Sequence, residues 1–164
     1  MPDDLDRVLA EREIVQLVSR SAQAQDSRQW DSYVELLDDS VLVNKPLNPE
    51  LVRMSGREYV EMIRETLDAF DVTHHQLTNH VVWVDGNEAS ADVDVSAYHQ
   101  LNDGDAAETI TVGGRYHFTL NRTDRGWLIA GRSFSKRYHI GDIGLIERAR
   151  RRAQAWSAPP AGTR

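Results

Sequence analysis

The sequence predicts an α+β domain: helices gathered in the first half, a meander of long antiparallel strands in the second, and one closing helix. Three observations carry this. Apolar residues between Leu5 and Ala24 recur at helical spacing. After His75 the period changes to two, most plainly where Val93, Val95 and Ala97 alternate with Asp92, Asp94 and Ser96. No linker and no internal repeat separates the halves, so 164 residues suit one domain with one core. Helices followed by strands place the helices on one face of an antiparallel sheet. A strongly bent sheet with a helix across its concave side encloses a cone, a natural pocket for a small apolar ligand.

The first helix should run from Leu5 to roughly Ala24, with Leu5, Val8, Leu9, Ile14, Val15, Leu17, Val18 and Ala22 on its apolar face. Asp3, Asp4 and Asp6 crowd its first turn, where the helix dipole favours negative charge. The chain breaks at Asp26-Ser27, and a short second helix, about Arg28 to Leu37, should bury Trp30, Val34 and Leu37. Asp38-Asp39-Ser40 reads as a turn and Val41–Val43 as a short strand. Asn44 to Arg53, with Pro46 and Pro49, reads as a loop.

Ser55 and Glu58 can satisfy each other's free amides, a capping box that opens a third helix with Tyr59, Met62, Ile63, Thr66 and Phe70 on its apolar face. Strands follow at His75–Val84, Ala89–Gln100, Thr109–Asn121 and Trp127–Tyr138, joined by turns at Asp85–Glu88, Asn102–Gly104 and Thr123–Gly126. Gly113-Gly114 interrupts the third of these and predicts a bulge or sharp bend. Gly141–Trp156 reads as the last helix. The domain is therefore expected over residues 1–156, with 157–164 as a flexible tail.

Composition removes several function classes. There is no cysteine, which excludes disulfides, thiolate zinc sites and cysteine nucleophiles. A net charge of −7 argues against a broad grip on nucleic acid or anionic lipid. The one basic run, Arg148 to Arg152, reads as the solvated face of the last helix. The acidic N-terminus lacks the apolar stretch of a secretory signal, and no run is long enough to span a bilayer, so a cytoplasmic protein is expected. No glycine-rich phosphate loop, serine elbow or dinucleotide fingerprint occurs. The six histidines form no HxxxH or HxH pair. Neither a cofactor nor a metal is expected.

The chemistry rests on Asp26 and His75. A carboxylate facing an imidazole is the minimum equipment for moving protons on a bound organic molecule. Asp26 either caps the second helix or hydrogen-bonds His75, fixing its tautomer and stabilising the imidazolium. His75 is either a half-buried strand histidine bonded to backbone or a base that takes a proton beside a carbonyl. His74 should face the other way. His99 continues the apolar parity of Val93, Val95 and Ala97 and is a candidate pocket residue, with the rim of the strand as the commoner place for such a residue. Tyr116 shares a face with Phe118 and Leu120 and is another, with core packing as the favoured alternative. Trp30 and Tyr33 complete the candidate substrate contacts, with core packing as the alternative for both.

Six marks act together: Ala24-Gln25-Asp26, Trp30 to Leu37, Thr73-His74-His75, Val84-Asp85-Gly86 with Ala89 after it, Gly114-Arg115-Tyr116, and Gly126 to Ile129. In this order they resemble the SnoaL-like branch of the nuclear transport factor 2-like superfamily over roughly residues 5 to 140. The resemblance implies a cone-shaped α+β barrel with a strongly curved, mixed, mostly antiparallel sheet wrapped around N-terminal helices. It also implies a homodimer. Relatives include polyketide cyclases, scytalone-type dehydratases and steroid isomerases. In the dehydratases an acid follows the first helix and a histidine opens the strand after the third helix. Asp26 and His75 match, and this match favours His75 over His74. The dehydratases' second histidine falls at Gly113, with His117 nearby but out of register. Their tyrosines fall at Gln25 and at Asn44 or Lys45. The resemblance therefore implies a cofactor-independent lyase, isomerase or cyclase acting on a small apolar carbonyl or polyketide-like molecule. The alternative is a non-catalytic small-ligand-binding or dimeric assembly domain.

Overall fold

The computed structural model describes residues 4–44, 48–104 and 106–157. In chain order the elements are α1 (Asp4–Asp26), α2 (Trp30–Glu35), β1 (Leu37–Asn44), β2 (Leu51–Ser55) and α3 (Gly56–Leu67). They continue with β3 (Val72–Asp85), β4 (Glu88–Asp103), β5 (Ala106–Thr123), β6 (Gly126–Gly141) and α4 (Leu145–Ser157). The six strands form one sheet in the order β2-β1-β6-β5-β4-β3. Every neighbouring pair is antiparallel except β1 beside β6. β2 and β3 remain as edges, so the curved sheet is a mixed, open one and not a closed barrel. The part of the predicted tail after Ser157 lies outside the described residues, as do Lys45 and Pro46.

The periodic elements form as their patterns require. The capping box is complete: Ser55 Oγ accepts the Glu58 amide at 3.2 Å, and the Glu58 carboxylate accepts the Ser55 amide at 2.8 Å. α3 then turns Tyr59, Val60, Ile63, Thr66 and Leu67 inward, and Phe70 follows just beyond its end. On β4, Val93, Val95, Ala97, His99 and Leu101 are buried while the residues between them are not. The pairing of β5 with β6 slips between Gly113 and Gly114. A Cβ on Gly114 would stand 2.2 Å from the Ser135 carbonyl oxygen, so only glycine lets β6 approach there.

Three local expectations give way to tertiary pairing. β1 begins at Leu37, and Asp38, Asp39 and Ser40 lie inside it. The Leu36 carbonyl accepts the Ile129 amide at 3.0 Å, Leu37 and Leu42 pair with β6 on either side, and Ser40 pairs with Ser55 of β2, so pairing at both ends carries Asp-Asp-Ser through as an irregular stretch of strand. Leu51–Ser55, whose first three residues fall in the predicted loop, is an edge strand held by β1 from Asn44↔Leu51 to Ser40↔Ser55. Leu5, Val8 and Leu9 are 61%, 55% and 46% exposed, so the core face of α1 begins at Ala10.

Two apolar clusters result. The larger packs α1, α2 and α3 into the concave face of the sheet, through Ile14, Val18, Tyr33, Tyr59, Val93 and Phe118. The smaller seats α4 on Phe70, Leu101, Ile110 and Val112 through Leu145 and Ala149. A hollow with an apolar wall and several polar side chains survives between the two, and it carries the candidate site. No helix among the described residues is long and apolar enough to cross a membrane.

Candidate active site

α1 delivers Asp26 to the start of β3. Its Oδ1 lies 2.7 Å from His75 Nδ1, its Oδ2 accepts the His75 amide at 2.7 Å, and the Thr73 hydroxyl donates to Oδ1 at 3.2 Å. Asp26 is thus not the cap of α2, whose N-cap is Gln29 with no side-chain cap bond. Burial pushes the Asp26 carboxyl up. The His75 ring and amide and the Thr73 hydroxyl outweigh it and leave the pKa below the ordinary 3.8. An ionised Asp26 holds the proton of a neutral His75 on Nδ1, which leaves the Nε2 lone pair as the basic atom. His74 is the outward neighbour, its side chain 64% exposed against 5% for His75.

Arg28 braces this arrangement from behind. It sits at φ 57°, between α1 and α2. Its guanidinium donates to the Gln25 carbonyl at 2.9 Å, the Leu67 carbonyl at 2.8 Å and the Thr73 hydroxyl at 2.7 Å, and pairs with Asp68 at 3.2 Å. Because Thr73 Oγ accepts from Arg28, its own proton is directed to Asp26. The ends of α1 and α3 are thereby tied to the strand that carries His75.

His75 lines a cavity of about 140 Å³. Ile63, Leu67, Ala97, Val112, Phe134 and Ile146 supply its apolar wall, and Gln25, Asn44, Thr66, His99, Tyr116, Arg132 and Arg150 its polar groups. His99 comes in as the parity of β4 predicts. Its ring stands 5.8 Å from that of His75 at 80°, and 4.9 Å from Phe70, and its Nδ1 is buried with no partner among the described residues. Burial, with the neighbouring His75 charge, drives its pKa down to about 4, so it is neutral at neutral pH. Tyr116 also lines the cavity, against Phe134 at 5.3 Å, and burial raises its phenol despite the opposing charge of Arg132.

The other expected contacts lie elsewhere. Tyr33 is 1% exposed within the core, 6.2 Å from Tyr59, and does not line the cavity. Trp30 packs against the core with Arg28 over its ring at 5.9 Å and does not line it either. For both, packing is the reading the structure bears. His117 points outward to Asp92 at 2.7 Å. The second cavity histidine is therefore His99, beside Thr73 in the β3–β4 register, and not a residue near Gly113. Gln25 and Asn44 do line the cavity. The Asn44 amide is occupied by both backbone groups of Phe134.

Two arginines escaped the sequence reading. Arg132 lies on β6, where counting by twos from Trp127 and Ile129 turns it outward. The β5–β6 pairing skips Ala130, since Leu120 faces Ile129 and Thr119 faces Gly131. That bulge reverses the parity and brings Arg132 and Phe134 into the cavity. The Arg132 guanidinium stands 4.6 Å from the Tyr116 ring centre and 5.2 Å from that of Tyr59. Its hydrogen bonds, to Gln25 Oε1 and the Tyr33 hydroxyl, are both 3.5 Å long, and no carboxylate lies within 4.0 Å among the described residues. Burial alone would lower its pKa, but the three surrounding phenol oxygens hold it above the ordinary value and it stays charged. Arg150, expected on a solvated face, reaches into the wall and donates to Thr66 Oγ1 at 2.6 Å.

An imidazole backed by a carboxylate, a neutral imidazole, a phenol and a cation with no carboxylate within 4.0 Å among the described residues thus share one small hollow. No cluster of three or more His, Cys, Asp or Glu suited to a metal occurs among the described residues.

A profile of the SnoaL-like domain matches residues 6–133. No curated protein matches the sequence. Among solved structures the chain is similar to the Kfla4162 protein from Kribbella flavida, with a TM-score of 0.77 and 23% identity over 87% of this chain and 99% of that one. It is similar to a protein from Novosphingobium aromaticivorans provisionally assigned as a scytalone dehydratase, at 0.71 and 19% over 83% and 89%. It is also similar to the LinA-type3 hexachlorocyclohexane dehydrochlorinase from Novosphingobium barchaimii, at 0.72 and 19% over 87% and 96%. Identities this low establish a shared cone-shaped fold and leave the chemistry to the site.

Proposed function

The chain belongs to the SnoaL-like domain family, and from that premise we propose that it is a cofactor-independent acid–base enzyme: a dehydratase-type lyase, an isomerase or a cyclase. Its substrate is a small, largely apolar carbonyl or polyketide-like molecule. The observation that carries this reading is the 2.7 Å contact between Asp26 and the ring of His75, with that ring in the wall of a cavity. That two of the similar structures are named for eliminations, a dehydratase and a dehydrochlorinase, supports it.

In this reading His75 Nε2 takes a proton from the carbon beside the substrate carbonyl. Asp26 stabilises the imidazolium that forms. The electron pair moves onto the carbonyl oxygen, where Arg132 offsets the new negative charge in a site shielded from water. His75 then returns the proton. Given to a β-hydroxyl, it releases water and leaves an enone. Given to another carbon, it completes an isomerisation. Attack of the carbanion on a second carbonyl instead closes a ring, and the proton goes to the new alkoxide. Tyr116 and the neutral His99 serve as hydrogen-bonding contacts to the substrate. The hollow is close to the roughly 150 Å³ that accommodates benzene in an engineered cavity, so a single ring is its natural occupant.

The homodimer implied by the family belongs to the same proposal. Val81, Trp83, Tyr138 and Ile140 are exposed, and the strand register sets them on the outer face of the sheet, which supports self-association there.

The test uses β-hydroxy ketones and their enones, followed by ultraviolet absorbance and by loss of deuterium beside the carbonyl. His75→Ala should abolish turnover and Asp26→Asn should cut it steeply, while circular dichroism stays unchanged. Full activity in both variants rejects the assigned roles. Binding of the ketones with no deuterium loss would favour a binding domain instead.

A further inference from the structure

The basic run on α4 divides into two kinds of arginine. Arg148 pairs with Glu108 and Asp142, Arg151 with Glu147, and Arg152 with Asp71. Arg150 alone of these four has no carboxylate within 4.0 Å among the described residues. Its recorded hydrogen bond goes to a neutral hydroxyl, that of Thr66 on α3, and takes one of five N–H donors.

Its position is equally particular. Arg150 lines the cavity that holds His75 and also the outer groove between α3 and α4. It therefore stands at the threshold between solvent and the hollow. The cavity wall it shares includes apolar Ile63, Leu67, Val112 and Ile146 beside its polar groups. A partly buried guanidinium without a carboxylate partner beside a largely apolar hollow keeps N–H donors free, and an anionic group on the ligand can take them. The planar fork fits a carboxylate through two parallel N–H bonds. The outer groove is lined by the carboxylates of Glu61, Glu65, Asp68, Asp71 and Glu147 against Arg64 and Arg152 besides Arg150, an acidic excess that disfavours a more highly charged anion such as a phosphate dianion.

We propose that the cavity takes a small carboxylate-bearing molecule, about one ring in size, whose carboxylate binds Arg150 at the threshold while its body lies against Ile63, Leu67, Val112 and Ile146. This rests on the reading of the cavity as the substrate site and names the substrate class. Arg150 selects the acid and orients it. Arg132, deeper in, is left free for charge that develops during reaction.

Benzoate and benzamide are the probes: nearly identical in shape, one charged and one neutral. Calorimetry on the full chain measures both, and the imidazole resonances of His75 and His99 report whether either enters the cavity. Benzoate should bind about tenfold or more tightly than benzamide, the worth of one charge-assisted contact. Arg150→Gln should remove that preference by weakening benzoate alone, and Arg150→Lys should keep part of it. Equal binding of the two probes to the wild type, or a preference that survives Arg150→Gln, overturns the assignment and leaves the cavity standing as a ligand site. Failure of both probes to bind or to move the histidine resonances overturns the assignment together with the cavity reading.

Discussion

His75 offers both its backbone amide and its ring Nδ1 to one carboxylate, that of Asp26, each at 2.7 Å. The backbone contact fixes where the strand starts relative to the end of α1. The ring contact fixes which nitrogen is basic. One residue therefore sets position and tautomer together, and the two effects separate by substitution. In Asp26→Asn the amide keeps an oxygen for the His75 backbone but can present its NH₂ to Nδ1, which turns the tautomer round. Turnover should fall on the order of 10²–10⁴-fold with little loss of fold. Steady-state rates together with imidazole nitrogen shifts check this. A variant with an unaltered tautomer and full rate would contradict it.

Thr73→Val removes a donor to Asp26 while keeping the shape of the side chain. The Thr73 hydroxyl is one of the groups that lower the Asp26 carboxyl, so its loss moves that pKa upward, toward 3.8. Arg28 loses an acceptor at the same time, which costs about 1 kcal/mol of stability. Carbon-detected titration of Asp26 reads the first effect and urea unfolding the second. An unmoved carboxyl would break the chain from Arg28 through Thr73 to Asp26.

His99 should write itself into the acid limb of stability. Its folded pKa, about 4, is below the ordinary 6.5, so between those values the unfolded chain takes a proton that the folded chain refuses. Stability is full above pH 6.5, falls as the pH drops toward 4, and levels off there as far as this residue is concerned. The loss is on the order of 2–4 kcal/mol. His99→Gln should flatten this limb in denaturant unfolding measured from pH 7 to 4. An unchanged slope would show that another group carries it.

Arg132→Met separates stability from activity. The guanidinium lacks a carboxylate partner and makes only long hydrogen bonds among the described residues, so an apolar chain of similar length should leave stability unchanged or raise it by about 1 kcal/mol. Turnover should fall about 10²-fold, because charge developing on the substrate oxygen loses its counterpart. Thermal unfolding and kcat measured on one preparation test both halves. A variant that loses stability and keeps its rate would recast Arg132 as part of the core.

The sequence by itself determined what depends on neighbours along the chain. The helical period of α1 and α3, the Ser55–Glu58 box, and the alternation of β4 that turned His99 inward are all set within a few residues. Asp26 and His75 were legible as a candidate pair because one closes a helix and the other lies near the start of a strand. Tertiary structure decided what depends on partners far away. Pairing of Leu37 and Leu42 with β6 and of Ser40 with β2 drew Asp38–Ser40 into β1, the skipped Ala130 turned Arg132 inward, and α4 carried Arg150 to the rim of the hollow. A period of two predicts side-chain direction only until a bulge reverses it, and bulges are settled by the facing strand. The partners of a charge are likewise chosen in space, which is why Arg148, Arg151 and Arg152 found carboxylates and Arg150, in the same run, found none among the described residues.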